Sequence, residues 1–190
     1  MFAMSERLDR ASWLEAGLAA LADAGPSGIK IPAIAKRLGV TKGSFYWHFR
    51  DLEEYEDALL AAWEQHYTKE VMRLVDESEG NAAQRLRRLV DLAFETDTRL
   101  ARAIRHWAAN DARVRRAQAR VDRQRLRYIA AILHELGWSA TEANALARWT
   151  YWAVIGLHAT KTPRPQSALI DTVLRTLSPP PTPKQATRQP

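Results

Sequence analysis

The chain contains no cysteine, which excludes disulfide scaffolds, thiolate metal sites and thiol catalysis. A reducing compartment is compatible with that absence. No stretch approaches the roughly 20 apolar residues of a membrane span. The opening segment MFAMSERLDR has no apolar signal core, so no membrane partner is expected. Strand-like alternation of apolar and polar residues is missing, as is any internal repeat, and this points away from β architectures. The five histidines, His48, His66, His106, His134 and His158, show neither H-x-x-x-H nor H-E-x-x-H spacing. No nucleophile motif, Glu-x-x-His metal pattern or phosphate-cradling loop is present either. Catalysis, a metal and a cofactor are therefore not expected.

What the chain does have is positive charge and helical periodicity. Its formal charge is +6 over 190 residues, a balance that suits a polyanionic partner. The charge is unevenly spread. Residues 1–50 hold seven Lys/Arg against four acids, and the stretch from Asp51 to Asp57 is then acidic. Acids at a helix start offset the macrodipole but repel phosphate, so they are expected to point away from any nucleic acid.

The segment from Lys30 to Phe49, KIPAIAKRLGVTKGSFYWHF, is the most informative. Pro32 sits just inside a helix start, where its missing N–H costs nothing. Ile31, Ile34, Ala35 and Leu38 recur at helical spacing, and Gly39 is placed as a left-handed C-cap. Thr41 reads as the N-cap of a second short helix, its hydroxyl within reach of the N–H near Ser44. In that helix Phe45 and Phe49 share one face and turn inward. Lys42, Gly43, Ser44, Tyr46, Trp47 and His48 are left outward or sideways. Gly43 lowers helix stability, which makes sense if something approaches its backbone closely.

These residues, namely Ile34-Ala35, Leu38-Gly39-Val40, Thr41-Lys42-Gly43-Ser44 and Phe45-Tyr46-Trp47-His48-Phe49, closely resemble the helix-turn-helix of the tetracycline-repressor (TetR) family of transcription regulators. The resemblance covers about Leu8 to Trp63; beyond it lies only a general all-helical pattern. It implies an all-α fold of about nine helices. A three-helix DNA-binding domain at 5–65, with its motif at 30–49, precedes a helical effector-binding and dimerisation domain at 66–178 and a disordered, proline-rich tail at 179–190. The helices are expected at Asp9 to Ala24, two in the motif, Leu52 to Glu77 with Asp51 as its cap, 82–95, 97–108, 112–136, 141–160 and Gln166 to Leu177. Loops are expected near Thr96 and Asn110-Asp111, and Pro163 and Pro165 break the chain.

By resemblance, the second motif helix enters the major groove of an operator. Lys42, Gly43 and Ser44 stand nearest the bases; Lys42 can donate to guanine and Ser44 to either base type. Tyr46, Trp47 and His48 occupy groove-edge and phosphate positions, although the Trp47 indole can equally pack sideways on the first helix. Thr41 can reach phosphate as well as cap. Many family members place a phosphate-binding lysine where this chain has Leu52, so Arg50 or backbone N–H groups at the start of the fourth helix must substitute.

Pairing of two heads on a two-fold operator requires a homodimer. The apolar helix at 141–160, together with the terminal helix at 166–177, is the expected interface, through Ala145, Trp149, Trp152, Ala153, Gly156 and Leu157. A small-molecule effector is implied by the resemblance, with Trp63, His66, Tyr67, Phe94, Trp107, Tyr128 and Trp152 as pocket candidates. Aromatic lining suits apolar or planar ligands. Arg113, Arg116, Arg120, Arg123 and Arg127 form a stripe that reads as a solvated helix face, or as a holder of an acidic effector or an addition to the field that attracts DNA. A ligand-responsive repressor in the cytoplasm is the leading expectation. A ligand-independent or protein-regulated DNA-binding factor of the same fold, or an activator, is the alternative.

Overall fold

The computed structural model describes residues 9–95, 97–160 and 167–179. Residues 5–8 of the expected head, Thr96, Pro163, Pro165, Gln166 and the tail beyond Pro179 lie outside the described residues. Helix α1 (Arg10–Ala24) starts where the Asp9 carboxylate accepts from the Ser12 N–H, and it ends at Gly25 with φ 68°. A single 3-10 turn, Pro26–Gly28, leads to α2 (Ile31–Leu38), which Gly39 closes in the left-handed region at φ 69°. Next come α3 (Lys42–Phe45) and α4 (Leu52–Glu64), a π turn at Gln65–Lys69, and α5 (Glu70–Asp76). The segments from α4 to α5 form one continuous rod. The body adds α6 (Ala82–Glu95), α7 (Thr98–Asn110), α8 (Ala112–Glu135), α9 (Ala140–Ala159) and α10 (Ser167–Thr176). The described residues are all-α, with no strand among them.

Three local expectations are corrected. The recognition helix is shorter than the motif suggests. Regular α geometry stops at Phe45, and Tyr46 to His48 turn through i→i−3 bonds, with the His48 N–H donating to the Phe45 carbonyl at 2.9 Å. An aromatic run of poor helix propensity is tightened here because Phe45 and Phe49 are both pinned inside. Thr41 occupies the N-cap position, but its hydroxyl makes no capping bond. The rod is not uniformly α: it widens into the π turn midway.

Two hydrophobic clusters hold the fold. The first joins α1 to α4 with α7 and the N-terminal half of α8, through Trp13, Leu21, Phe45, Tyr55, Ile104 and Val121 among others. The second joins α5, α6, the C-terminal half of α8 and α9. Within the first, Trp13, Phe45, Phe49 and Tyr55 form an aromatic box. Its ring centroids lie 4.7–5.4 Å apart, a separation at which edge and tilted pairs are favourable. The Tyr55 hydroxyl donates to the Trp13 carbonyl at 2.5 Å.

Ion pairs then lock the rod to the body. Arg113 at the start of α8 reaches Glu56 at 2.7 Å, Asp57 at 3.1 Å and Glu53 at 3.5 Å. Arg120 reaches Glu64 at 2.8 Å. The arginine stripe is therefore only partly a solvated face. Arg116, Arg123 and Arg127 are exposed, whereas Arg113 and Arg120 cross to α4. The same pairs account for several of the acids between Asp51 and Asp57: Glu53, Glu56 and Asp57 turn toward α8.

Candidate nucleic-acid interface and buried cavity

The aromatic box fixes α3 from beneath. Phe45 and Phe49 are buried, so the residues between and before them must face outward. Thr41, Lys42 and Gly43 are exposed, Ser44 is half-buried, and Tyr46 and Trp47 are 53% and 88% exposed. Trp47 does not pack on α1. A large indole left this bare is unusual for a monomer surface. A Cβ added to Gly43 would meet only the Thr41 Oγ1, at 3.6 Å, so the space above this backbone is open to an approaching partner. His48 is half-buried beside Phe49.

Arg50 is exposed, but its Nε donates to Asp51 at 2.9 Å. Its backbone N–H donates to Glu54, while the Glu54 N–H donates to Asp51. This reciprocal cap occupies two of the N–H groups at the start of α4. A phosphate there would meet Leu52, exposed at the helix start, the remaining N–H groups and the rest of the Arg50 guanidinium. Other basic side chains of the head, Lys30, Lys36 and Arg37, are exposed.

On the body, α9 carries its apolar residues on two faces. Ala143, Ala147 and Tyr151 are buried. On the other side Ala145, Ala153 and Gly156 are exposed, Trp149 is 56% and Trp152 65% exposed, and Leu157 is half-buried. The predicted interface residues thus lie outward rather than in the monomer core.

A cavity opens between the rod, α6, α8 and α9, with an empty volume of about 850 Å³ counting its mouth. Tyr67 and Tyr128, both named among the pocket candidates, line it. The other pocket candidates sit elsewhere. Trp63 and Trp107 are packed in the first cluster. His66 is exposed and faces a groove against α1. Phe94 does not line the cavity, and Trp152 faces outward. Trp63 and Trp107 went to the core because large aromatics bury the most apolar area. The cavity walls are mainly aliphatic, including Val71, Met72, Leu89, Ile129 and Val154.

The polar residues of the lining were not anticipated: Thr68, Arg125, Thr150, Tyr151 and His158. Arg125 donates to Thr68 Oγ1 and to the Tyr67 carbonyl, both at 2.9 Å, and so holds the π turn. The Tyr151 hydroxyl donates to Asp122 at 2.7 Å, and Arg105 reaches both groups. Burial pushes the Tyr151 hydroxyl above its usual range. Burial also pulls His158 below its ordinary value of 6.5, and Arg125, Arg105 and Arg102 act in the same direction against a bond to the Ala93 backbone. Thr150 Oγ1 and His158 Nε2 are buried without a hydrogen-bond partner. One sequence signal could have found part of this lining: Thr150, Val154 and His158 repeat at four-residue steps along α9, so two polar groups share one face.

Residues 14–54 match the family described as bacterial regulatory proteins, tetR family. No curated protein gives a significant match. Among solved structures, the chain is similar to reduced E. coli NemR at 18% identity and a TM-score of 0.70, covering 90% of this chain and 99% of that one. It is similar to Bacillus subtilis FadR in complex with stearoyl-CoA at 18% identity and a TM-score of 0.67, covering 90% and 98%. The Bacillus halodurans fatty acid degradation regulator FadR aligns at 16% identity and a TM-score of 0.65, covering 89% and 94%. At these identities the structural likeness speaks for the fold.

Proposed function

From the match of residues 14–54 to bacterial regulatory proteins of the tetR family, we propose that the chain is a ligand-responsive repressor of that family that binds a palindromic operator as a homodimer. The observation that carries this reading is the exposed surface of α3. Lys42, Gly43, Tyr46 and Trp47 stand bare, with Ser44 half-buried between them, on a scaffold immobilised by Phe45 and Phe49. Such a surface offers donors to base edges and ring faces to the sugar-phosphate backbone while its own core stays fixed. Residues 5–65 act as the DNA-binding domain, and 66–178 as the effector and dimerisation domain. The outward face of α9, with Trp149 and Trp152 at its centre, pairs the two bodies.

The rod links ligand to operator. Its first half, α4, packs in the first cluster through Tyr55, a member of the aromatic box, and Trp63. Its π turn and α5 form one wall of the cavity through Tyr67, Thr68, Val71 and Met72. π turns sit frequently at functional sites, where the widened winding can be shifted. A molecule that binds one arrangement of the rod better than the other changes the spacing of the two heads, and differential affinity is the only way it can do so. The neighbour of this fold solved with stearoyl-CoA supports a small-molecule effector in the body.

The test is a gel-shift titration on the DNA upstream of the protein's own coding sequence, at two salt concentrations with random DNA as competitor. Specific binding that survives the competitor is expected. Lys42→Ala and Tyr46→Ala should each weaken it by about 1–3 kcal/mol without unfolding the protein. Unchanged binding in both variants would sink the assignment of α3.

A further inference from the structure

The cavity between the rod, α6, α8 and α9 keeps its polar groups engaged or out of reach, and we infer that its ligand is an uncharged, mainly hydrocarbon molecule. The inference deepens the reading of this cavity as the effector site and rests on it. Two observations carry it.

The first is the state of the neutral polar groups in the lining. The Tyr128 hydroxyl donates to Asp76 at 2.6 Å, and the Tyr151 hydroxyl donates to Asp122 at 2.7 Å. The single proton of each phenol is thus engaged by a carboxylate of the chain. Thr68 Oγ1 accepts from Arg125. Thr150 Oγ1 and His158 Nε2 are unpaired, but both are buried beneath the wall and stand two helical turns apart on α9, so no group in the cavity reaches them. The Tyr67 hydroxyl makes no bond among the described residues and can serve at most one neutral oxygen of a ligand.

The second observation is the engagement of Arg125, the one Lys or Arg among the described lining residues, which include no Asp or Glu. Its Nε donates to Thr68 Oγ1 at 3.1 Å, and its Nη2 donates to the same oxygen and to the Tyr67 carbonyl, both at 2.9 Å. Both protons of Nη2 are then in use. A carboxylate binds a guanidinium best through two parallel N–H groups, and either such pair on Arg125 includes Nη2. The guanidinium carbon also lies 5.7 Å from the centroid of the Trp63 ring, which covers it further. A ligand anion would find Nη1 alone, and a ligand cation would face a like charge with no carboxylate in the lining. Burying an ionised group without a full partner is strongly unfavourable. Each methylene placed against Val71, Met72, Leu89, Ile129 and Val154 is favourable.

The experiment is calorimetric titration of the full chain with n-octanol, octanoate and octylammonium, which share one alkyl chain and differ in charge. Octanol should bind about tenfold more tightly than either ion. Val154→Trp fills the cavity from α9 and should abolish octanol binding. The ranking of the three probes on the wild type carries the test even if that variant fails to fold. Octanoate binding as tightly as octanol would show that Arg125 takes an anion, and would overturn the inference. Octanol binding that survives in folded Val154→Trp would overturn it too, by placing the ligand elsewhere. Octanoyl-coenzyme A binding more tightly than octanol would do the same, by revealing a charged subsite at the mouth. Octanol left unbound would overturn it as well; operator release by a charged molecule would then leave the regulator reading intact. The expected ranking without any effect on the operator would keep the ligand class and overturn the role of the cavity as effector site.

Discussion

Gly17 shows how a single residue's role reverses between sequence and structure. It lies in the middle of α1, where alanine would raise helix propensity by about 1 kcal/mol. In the fold a Cβ at this position would run into the Tyr55 hydroxyl and come within 2.7 Å of Leu59 Cδ2. Tyr55 cannot easily retreat, because its ring is fully buried in the aromatic box and its hydroxyl is bonded to Trp13. Gly17→Ala is therefore expected to destabilise the protein by about 1–3 kcal/mol through overpacking, as read by urea unfolding. A stability equal to or above wild type would show that Tyr55 yields. The inward turn of Phe45 and Phe49 was legible from spacing alone, since both lie in one local element. The clash at Gly17 was not, because Tyr55 lies 38 positions further along the chain.

Among the elements, the joint between α8 and the rod is the most informative. Glu64 has a side chain only 9% exposed and is bonded by Arg120 and Gln124, with Lys69 at 3.8 Å. Burial pushes its carboxyl up, but the bonds and charges from Arg120, Gln124 and Lys69 together hold it below the ordinary 4.5. Arg120 itself is exposed, so the two partners are not equivalent. Arg120→Ala leaves a buried carboxylate short of its main partner and should cost about 1–3 kcal/mol at neutral pH. A group whose folded pKa is depressed contributes stability above its unfolded value, and this contribution is lost as pH falls. The difference between wild type and Arg120→Ala should accordingly be full near pH 7 and shrink below about pH 4.5. Thermal unfolding at a series of pH values checks this, and a difference independent of pH would assign the effect to packing. The sequence displayed these arginines as a stripe. Which of them face solvent and which face acids depended on how α8 lies against α4.

For the whole molecule, the outward surface of α9 bears on the proposed assembly. Trp149 and Trp152, flanked by exposed Ala145, Ala153 and Gly156, leave an apolar face uncovered among the described residues. Patches of this kind mark interaction surfaces, and pairing through a two-fold axis makes the patch self-complementary. Trp152→Glu places a charge at the centre of that face. Sedimentation equilibrium should find dimers of the wild type and monomers of the variant, with operator affinity falling because one head makes few contacts. A variant that stays dimeric would move the interface to another face.

The sequence by itself determined whatever is local and periodic. Helix positions follow from the 3.6-residue repeat, the end of α2 from the conformational freedom of Gly39, the start of α4 from the Asp51 carboxylate, and the exposed residues of the motif from their interleaving with Phe45 and Phe49. Tertiary structure alone decided the rest. The widened turn in the rod, the sorting of tryptophans into core and outer face, and the meeting of Arg125, Thr150 and His158 in one cavity all join residues far apart in the chain. Contacts of that kind depend on how helices lie against one another. Side-chain patterns along a single helix do not encode that geometry, because one apolar face can satisfy many partners equally well.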